Sequence, residues 1–252
     1  MKRKTYYLIP SRLESSRLPN KPLLDIEGLP MFAHVYFRTK LLGEDTKVYV
    51  CTPNLEIIEQ CETLGIKYIQ TSHSHVNGTE RIAEAARLLC AENGDIIVNV
   101  QGDDPLVNPD DIQKLAKYHN NHDNVDVVIP HIVKTDPSNE LSIEIVANRK
   151  DKILYMSRSP IPSNYRKQLP FKKHLSIYSF RNDALQTFAA TPETELEKSE
   201  ACEGLRALDI GMDVYTFALD NEYTPVDVIE QYEIVCKKMV DDEFLSLYSK
   251  KV

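Results

Sequence analysis

Ile9-Pro10-Ser11-Arg12-Leu13-Glu14-Ser15-Ser16-Arg17-Leu18-Pro19-Asn20-Lys21-Pro22 is the stretch from which the fold can be read. The apolar run 6–9 leads into it and reads as a first strand. Pro10, Pro19 and Pro22 forbid a regular helix across it. The segment is therefore a loop at a strand's carboxyl end, where open α/β sheets bind ligands. Arg12, Arg17 and Lys21 hang from it, with the hydroxyls of Ser15 and Ser16 between them. Clustered cations and small donors on a stiff backbone suit a triphosphate. Cations in a surface loop are commonly only solvated. Here the whole chain carries a formal charge of -8, and a basic segment set against that field points to an anionic ligand.

Downstream, strand and helix patterns alternate. Residues 30–42 read as a helix, with Phe32, Val35, Tyr36 and Thr39 on one face and Pro30 at its start. Residues 47–51 read as a strand, 54–64 as a helix capped by Asn54 and stopped at Gly65, and 67–70 as a short strand. A polar loop, 71–81, then precedes an amphipathic helix with Ile82, Ala85, Ala86 and Leu89 on one side. Residues 95–100 form an apolar strand, and Asp110 is placed to cap the helix 112–118. This order predicts an α/β fold, a doubly wound and mostly parallel sheet. Past residue 126 the rhythm changes to strands at 126–133, 142–146, 153–156 and 174–180, with short polar joins at 136–138 and 149–152. The strand at 174–180 would place His174, Ser176 and Tyr178 on one face. Residues 196–208 read as one helix whose row of Glu197, Glu200 and Glu203 has the look of a solvated face. A late strand, 214–219, and a helix after Asp227 close the chain. The expected organisation is one domain over 1–252, with a smaller strand-rich part over about 133–200.

Composition narrows the function. At 252 residues, 42% hydrophobic and 27% charged, the chain is globular. Its acidic balance disfavours nucleic-acid and membrane-surface partners. No apolar run is long enough to span a bilayer, and the run after Lys4 is too short for a signal-peptide core. Cys51, Cys61, Cys90, Cys202 and Cys236 are odd in number and scattered, which argues against zinc and a disulfide framework and for a reducing cytoplasm. There is no GxG and no Gly-Lys dipeptide, so the dinucleotide and Walker A phosphate loops are both absent.

Two further stretches carry chemistry. In the loop 71–81, Gly78 precedes a helix amino end and offers free backbone N–H groups. His73 and His75 share that loop, but no third metal ligand accompanies them. Gln101-Gly102-Asp103-Asp104-Pro105-Leu106 closes the 95–100 strand. Carboxylates at such a tip are hard ligands suited to Mg²⁺, and Asp227 is placed either to cap the last helix or to complete a metal site with Asp103.

Taken together, these motifs resemble the 3-deoxy-manno-octulosonate cytidylyltransferase family. The first loop, Gly78-Thr79-Glu80-Arg81-Ile82-Ala83-Glu84, the segment Asn99 through Leu106, Tyr155-Met156-Ser157-Arg158, His174-Leu175-Ser176-Ile177-Tyr178 and Glu203-Gly204-Leu205-Arg206-Ala207-Leu208 follow in family order, with Val226-Asp227 before the last helix. The resemblance implies transfer of CMP from CTP to the anomeric hydroxyl of a ulosonic acid, with release of pyrophosphate. It implies that Arg12, Arg17 and Lys21 hold the triphosphate, Gly78 lies by the nucleoside, and Asp103 and Asp227 bind Mg²⁺. It further implies that Gln101, Arg158, His174, Tyr178 and Glu203 line the sugar pocket, and that the chain is a homodimer joined through its strand-rich part. Arg12, Lys21, Asp103 and Asp227 would carry the catalysis.

The chain departs from the family pattern at several positions. Ser72 stands where arginine is common, Asp104 where glutamate is usual, and Pro53 where an acidic residue is. Glu144 replaces a lysine, a change of sign that would suit an amino sugar such as 8-amino-Kdo. Two other classes are compatible with acidic residues after a central strand: a nucleotide-sugar-dependent glycosyltransferase, and a CTP-binding homologue without activity.

Overall fold

A computed structural model describes residues 3–14, 17–136 and 142–249. Ser15 and Ser16 of the first loop, and Pro137 and Ser138 of a predicted join, lie outside the described residues. The central sheet has seven strands, in the spatial order Val214–Tyr215, Val127–Val128, Ile177–Arg181, Ile96–Val100, Thr5–Pro10, Lys47–Thr52 and Tyr68–Gln70. Ile177–Arg181 runs antiparallel to both of its neighbours, and the remaining pairs are parallel. The sheet is thus mostly parallel, as the alternating pattern predicts. The chain leaves the first strand toward Tyr68–Gln70 and returns on the other side with Ile96–Val100. The strand order therefore reverses between Thr5–Pro10 and Ile96–Val100, which opens a crevice at their carboxyl ends.

The first strand is buried on both faces, so successive residues serve different cores. Ile9 packs with Phe32, Val98, Ile112 and Leu115. Leu8 packs with Ile82, Ala85, Ile97 and Leu185 on the opposite side. Met31–Lys40 and Pro109–Asn120 cover the first face, and Gly78–Leu88 and Asn182–Ala190 the second. Among the described residues no helix is long and apolar enough to cross a membrane.

A second, four-stranded sheet is antiparallel, in the order Ile153–Ser157, Glu144–Ala147, Phe171–His174, His131–Lys134. It is built by splitting two segments that read as single strands. The run 126–133 breaks at Pro130, which has no N–H for a ladder; Val127–Val128 stays in the large sheet and His131–Lys134 passes to the small one. The run 174–180 breaks at Leu175 and Ser176 in the same manner, so His174 ends a strand of one sheet and Ile177 starts a strand of the other.

Other expectations are corrected by local chemistry. Residues 196–208 form two helices, Glu195–Glu200 and Glu203–Asp209, because Ala201 is left-handed at φ 46°. Asn108, not Asp110, caps the helix from Pro109: its Oδ1 accepts from the Asp110 N–H at 2.8 Å. Asn54 sits at its helix start without capping it by its side chain. That side chain instead accepts from Leu13 N and donates to Glu14. Asn182–Ala190, a helix with no sequence-based expectation, begins directly from the Ile177–Arg181 strand.

Candidate active site

The crevice at the strand-order reversal is a cleft of about 300 Å³. Its floor is a close approach between two loops. A Cβ on Gly102 would come within 2.8 Å of the Pro10 carbonyl and 2.7 Å of Ser11 Oγ, so only glycine lets the Asp103 loop lie against the first loop. Gly78 closes the cleft from the second helical face, beside the Pro10 ring.

The first loop returns to the cleft through Asn20, which is left-handed at φ 53°, and a single 3-10 turn from Lys21 to Leu23. That turn aims the Lys21 ammonium at two carboxylates, 2.6 Å from Asp103 Oδ2 and 3.2 Å from Asp227 Oδ1. Arg17 reaches the same Asp227 oxygen at 3.2 Å. Burial works to lower the Lys21 pKa, but the Asp103 and Asp227 carboxylates outweigh it and the pKa is raised. Asp103 and Asp227 meet despite their distance in sequence because Val226 N donates to the Asp103 carbonyl at 2.8 Å. Gln231 Oε1 then accepts from Asp227 N at 2.6 Å and fixes that segment to the last helix. Arg12 lines the cleft and donates to the Val76 carbonyl at 3.1 Å. All three loop cations therefore face the space that holds the two aspartates.

A second pocket, about 500 Å³, opens from the first and shares Gln101, Asp103 and Asp227 with it. It lies at the seam of the two sheets. His174 and Tyr178 line it with ring centroids 5.1 Å apart. Their adjacency comes from the corner between the sheets rather than from strand alternation. Burial pushes the His174 imidazole down to about 3, helped by the charges of Arg158 and Lys173, so the ring is neutral at physiological pH. Burial, with Glu203 nearby, holds the Tyr178 phenol well above its ordinary value.

Two of the residues assigned to the sugar side stand beside this pair without lining the pocket. Arg158 Nε donates to the Glu200 carbonyl at 2.7 Å, and its N–H donates to the Glu200 carboxylate at 2.8 Å. Glu203 accepts a short hydrogen bond from the Thr79 hydroxyl, and burial lifts its carboxyl to about 6. The glutamate row is therefore not a solvated face. Glu197 is buried and held by Arg206 at 2.6 Å, Glu200 anchors the Ser157–Arg158 corner, and Glu203 meets the helix that starts at Gly78. The break at Ala201 places Glu203 on a separate helix from Glu197 and Glu200.

The two loop histidines do not form a metal centre. His75 pairs with Glu84 at 2.5 Å, and His73 lies 4.0 Å from Glu14; among the described residues no group of three ligating side chains is suited to a metal. Residues without a sequence-based role also appear. Asp104 is fully buried, and Ser176 Oγ donates to it at 3.1 Å, which ties the Asp103 loop to the sheet corner. Burial and the neighbouring Asp103 push Asp104 up to about 7. Lys173 lines the second pocket and pairs with Glu222 at 2.7 Å. Arg81 lines the first cleft. Its signal was a cation directly before the apolar face of an amphipathic helix, inside a motif already noted.

A cationic loop opposed to two aspartates, with an acceptor-sized pocket opening from the same carboxylates, is the layout of a nucleotidyltransferase. Comparison with known proteins makes this specific. A family model described as Cytidylyltransferase matches residues 6–214. The 3-deoxy-manno-octulosonate cytidylyltransferase of Escherichia coli is 36% identical over 217 residues, covering 85% of this chain and 87% of that protein. An 8-amino-3,8-dideoxy-manno-octulosonate cytidylyltransferase from Shewanella sp. (strain W3-18-1) is 39% identical over 209 residues, 81% of this chain and 85% of that one. The solved structure of a CMP:2-keto-3-deoxy-manno-octonic acid synthetase complexed with CTP superposes with a TM-score of 0.88 at 33% identity, over 94% of this chain and 98% of that chain. The chain belongs to the cytidylyltransferase family.

Proposed function

We propose that the protein transfers CMP from CTP to the anomeric hydroxyl of a 3-deoxy-octulosonic acid, releasing pyrophosphate, with Mg²⁺ held by Asp103 and Asp227. The observation that carries this reading is that two adjoining pockets share Gln101, Asp103 and Asp227. A donor in one and an acceptor in the other would meet at those carboxylates.

Attack of a hydroxyl on the α-phosphorus brings anions together, so charge and positioning dominate the barrier. Arg12, Arg17 and Lys21 meet the triphosphate. Two carboxylates that already converge on one ammonium fit a hard divalent cation, which takes few protein oxygens and completes its shell with phosphate and water. Held by Asp103 and Asp227, Mg²⁺ would supply charge neutralisation and would lower the pKa of the attacking hydroxyl. Lys21 then exchanges its carboxylate partners for phosphate oxygens. His174, neutral at physiological pH, and Tyr178, protonated, bind the sugar by single hydrogen bonds. Neither is matched to a general-base role. Gln101 reaches both pockets and Arg158 and Glu203 brace the far wall.

Glu144 is buried in the small sheet, in register with Lys173. Opposed residues of an antiparallel pair share a face, and it is Lys173 that lines the pocket. Glu144 itself is not among the residues that line that pocket, and we assign the unmodified 3-deoxy-octulosonate as acceptor. The small sheet is read as the sugar-side and dimer-forming part of about 133–200. Val133, Leu154, Tyr155 and Tyr165 are exposed apolar side chains within it, which supports pairing with a second copy. The reading places the enzyme in the cytoplasm, where CTP is made available.

The test is pyrophosphate release from CTP and Mg²⁺ over a panel of ulosonic acids, including the 8-amino analogue. Release that depends on both metal and acceptor is expected. Release from a sugar nucleotide in place of CTP would point to a glycosyltransferase, and CTP binding without release to an inactive homologue. A preference for the 8-amino compound would reverse the acceptor assignment.

A further inference from the structure

Arg81 is a charged side chain of the nucleotide cleft for which the motifs leave no task. It is only 2% exposed, yet it lines the cleft. Its Nη1 donates to Thr71 Oγ1 at 2.8 Å and to the Ser72 carbonyl at 3.1 Å. Both acceptors are neutral. The nearby carboxylates are engaged elsewhere: Glu84 with His75 at 2.5 Å, and Glu14 with Asn54 at 3.3 Å. Among the described residues no carboxylate forms an ion pair with Arg81. A guanidinium buried without a carboxylate is costly, and its remaining N–H groups are available to a ligand in the cleft. Burial and the like charge of Arg12 depress its pKa, so the site favours a partner that brings acceptors.

The sheet order says which part of a nucleotide reaches this corner. Thr71 follows the edge strand Tyr68–Gln70, whereas Asp103 follows Ile96–Val100. Three strand steps separate them, roughly 14 Å at the usual spacing. The reacting phosphate belongs at the aspartates, so the base, the far end of the nucleotide, lies toward Arg81. Arg12 stands between the two. Residue 72, an arginine in the family pattern, is serine here, and its carbonyl helps to orient Arg81.

We propose that Arg81 selects cytosine over uracil by donating two parallel N–H bonds to O2 and N3 of the base, an assignment that rests on the reading of this cleft as the CTP site. Cytosine presents those two acceptors side by side. In uracil N3 carries a hydrogen, so a donor would face a donor. The planar fork of arginine matches the acceptor pair, and a lysine point charge does not.

The experiment measures kcat/KM for CTP, UTP and pyrimidin-2-one riboside triphosphate with the wild-type enzyme and with R81K and R81Q. The pyrimidin-2-one compound keeps O2 and N3 as acceptors but lacks the 4-amino group. The wild type should use it far better than UTP. Both variants should lose roughly 5- to 150-fold on CTP and on the analogue, the worth of one bidentate base contact, with UTP little changed. An equal loss on all three nucleotides would assign Arg81 to the phosphates or the scaffold and overturn the proposal. So would a wild-type enzyme that rejects the analogue as strongly as UTP, a result that does not depend on either variant folding. If CTP supports no turnover at all, the proposed reaction fails, and equilibrium binding of the same three nucleotides to wild type and R81K decides the role of Arg81 separately.

Discussion

The two pockets that share Asp103 and Asp227 are built in different ways. The nucleotide cleft stands on parallel strands at a reversal of strand order, and most of its cations come from one continuous loop. The acceptor pocket stands at a seam between two sheets. It is closed by side chains from strands and loops that the chain visits far apart, among them His174, Tyr178, Lys173 and Glu222. In the first, backbone topology positions the chemistry. In the second, partly buried polar links do: Ser176 to Asp104, Thr79 to Glu203, and Arg158 to Glu200. A site of the first kind should fail by loss of charge, and one of the second by loss of placement.

Removing charge at the junction should have the largest effect. D103N and D227N should each lower kcat for pyrophosphate release by roughly 10²–10³-fold, the scale for loss of one preorganised electrostatic contact, with little change in thermal stability. If both variants retained near-normal kcat, the carboxylates would not be at the reacting centre and the contrast between the pockets would lose its pivot. Next comes G102A, which tests the backbone seam of the first cleft. Its Cβ meets the Pro10 carbonyl at 2.8 Å, and overpacking of that kind costs about 1–3 kcal/mol. Denaturant unfolding should show that loss, together with a raised KM for CTP.

On the acceptor side the effects should be smaller and pH-dependent. Burial raises the Glu203 carboxyl from its ordinary 4.5 to about 6. An acid whose folded pKa is raised favours the folded state most below about 4.5 and loses that contribution as pH rises through about 6. E203Q cannot ionise. Relative to wild type it should gain up to about 2 kcal/mol of stability between pH 4.5 and 7.5. A stability difference that is flat across that window would mean Glu203 is better solvated than its surroundings indicate. The smallest effect should be that of H174Q. Loss of one neutral hydrogen bond is worth roughly 0.5–1.5 kcal/mol, so KM for the sugar acid should rise several-fold while CTP binding is unchanged. A kcat that instead followed an ionisation abolished by H174Q would make His174 a proton carrier.

The same contrast explains what could be read from the chain beforehand. The alternation of apolar runs with amphipathic helices announced the parallel sheet, since each strand there is buried on both faces and its helices pack within the next few dozen residues. The prolines of the first loop announced a strand-end loop, and the cleft carries its cations as expected. The acceptor side was harder to read. The runs 126–133 and 174–180 each look like one strand, because alternation of side chains says nothing about which sheet a backbone joins. The row Glu197, Glu200, Glu203 looks solvated on a helix read alone, and it is tertiary partners, Arg206, Ser157 and Thr79, that engage it.

By itself, the sequence determined the kind of sheet, the position of its first loop, and the presence of cations and aspartates at strand ends, because these depend on local sterics and on the periodicity of apolar residues. Only the tertiary structure decided that Lys21 bridges Asp103 and Asp227, that His174 and Tyr178 meet across a seam of two sheets, and that Arg81 lies buried in the cleft without a carboxylate partner among the described residues. Those facts depend on long-range backbone contacts, such as Val226 N to the Asp103 carbonyl, and no local preference encodes which distant segments come together.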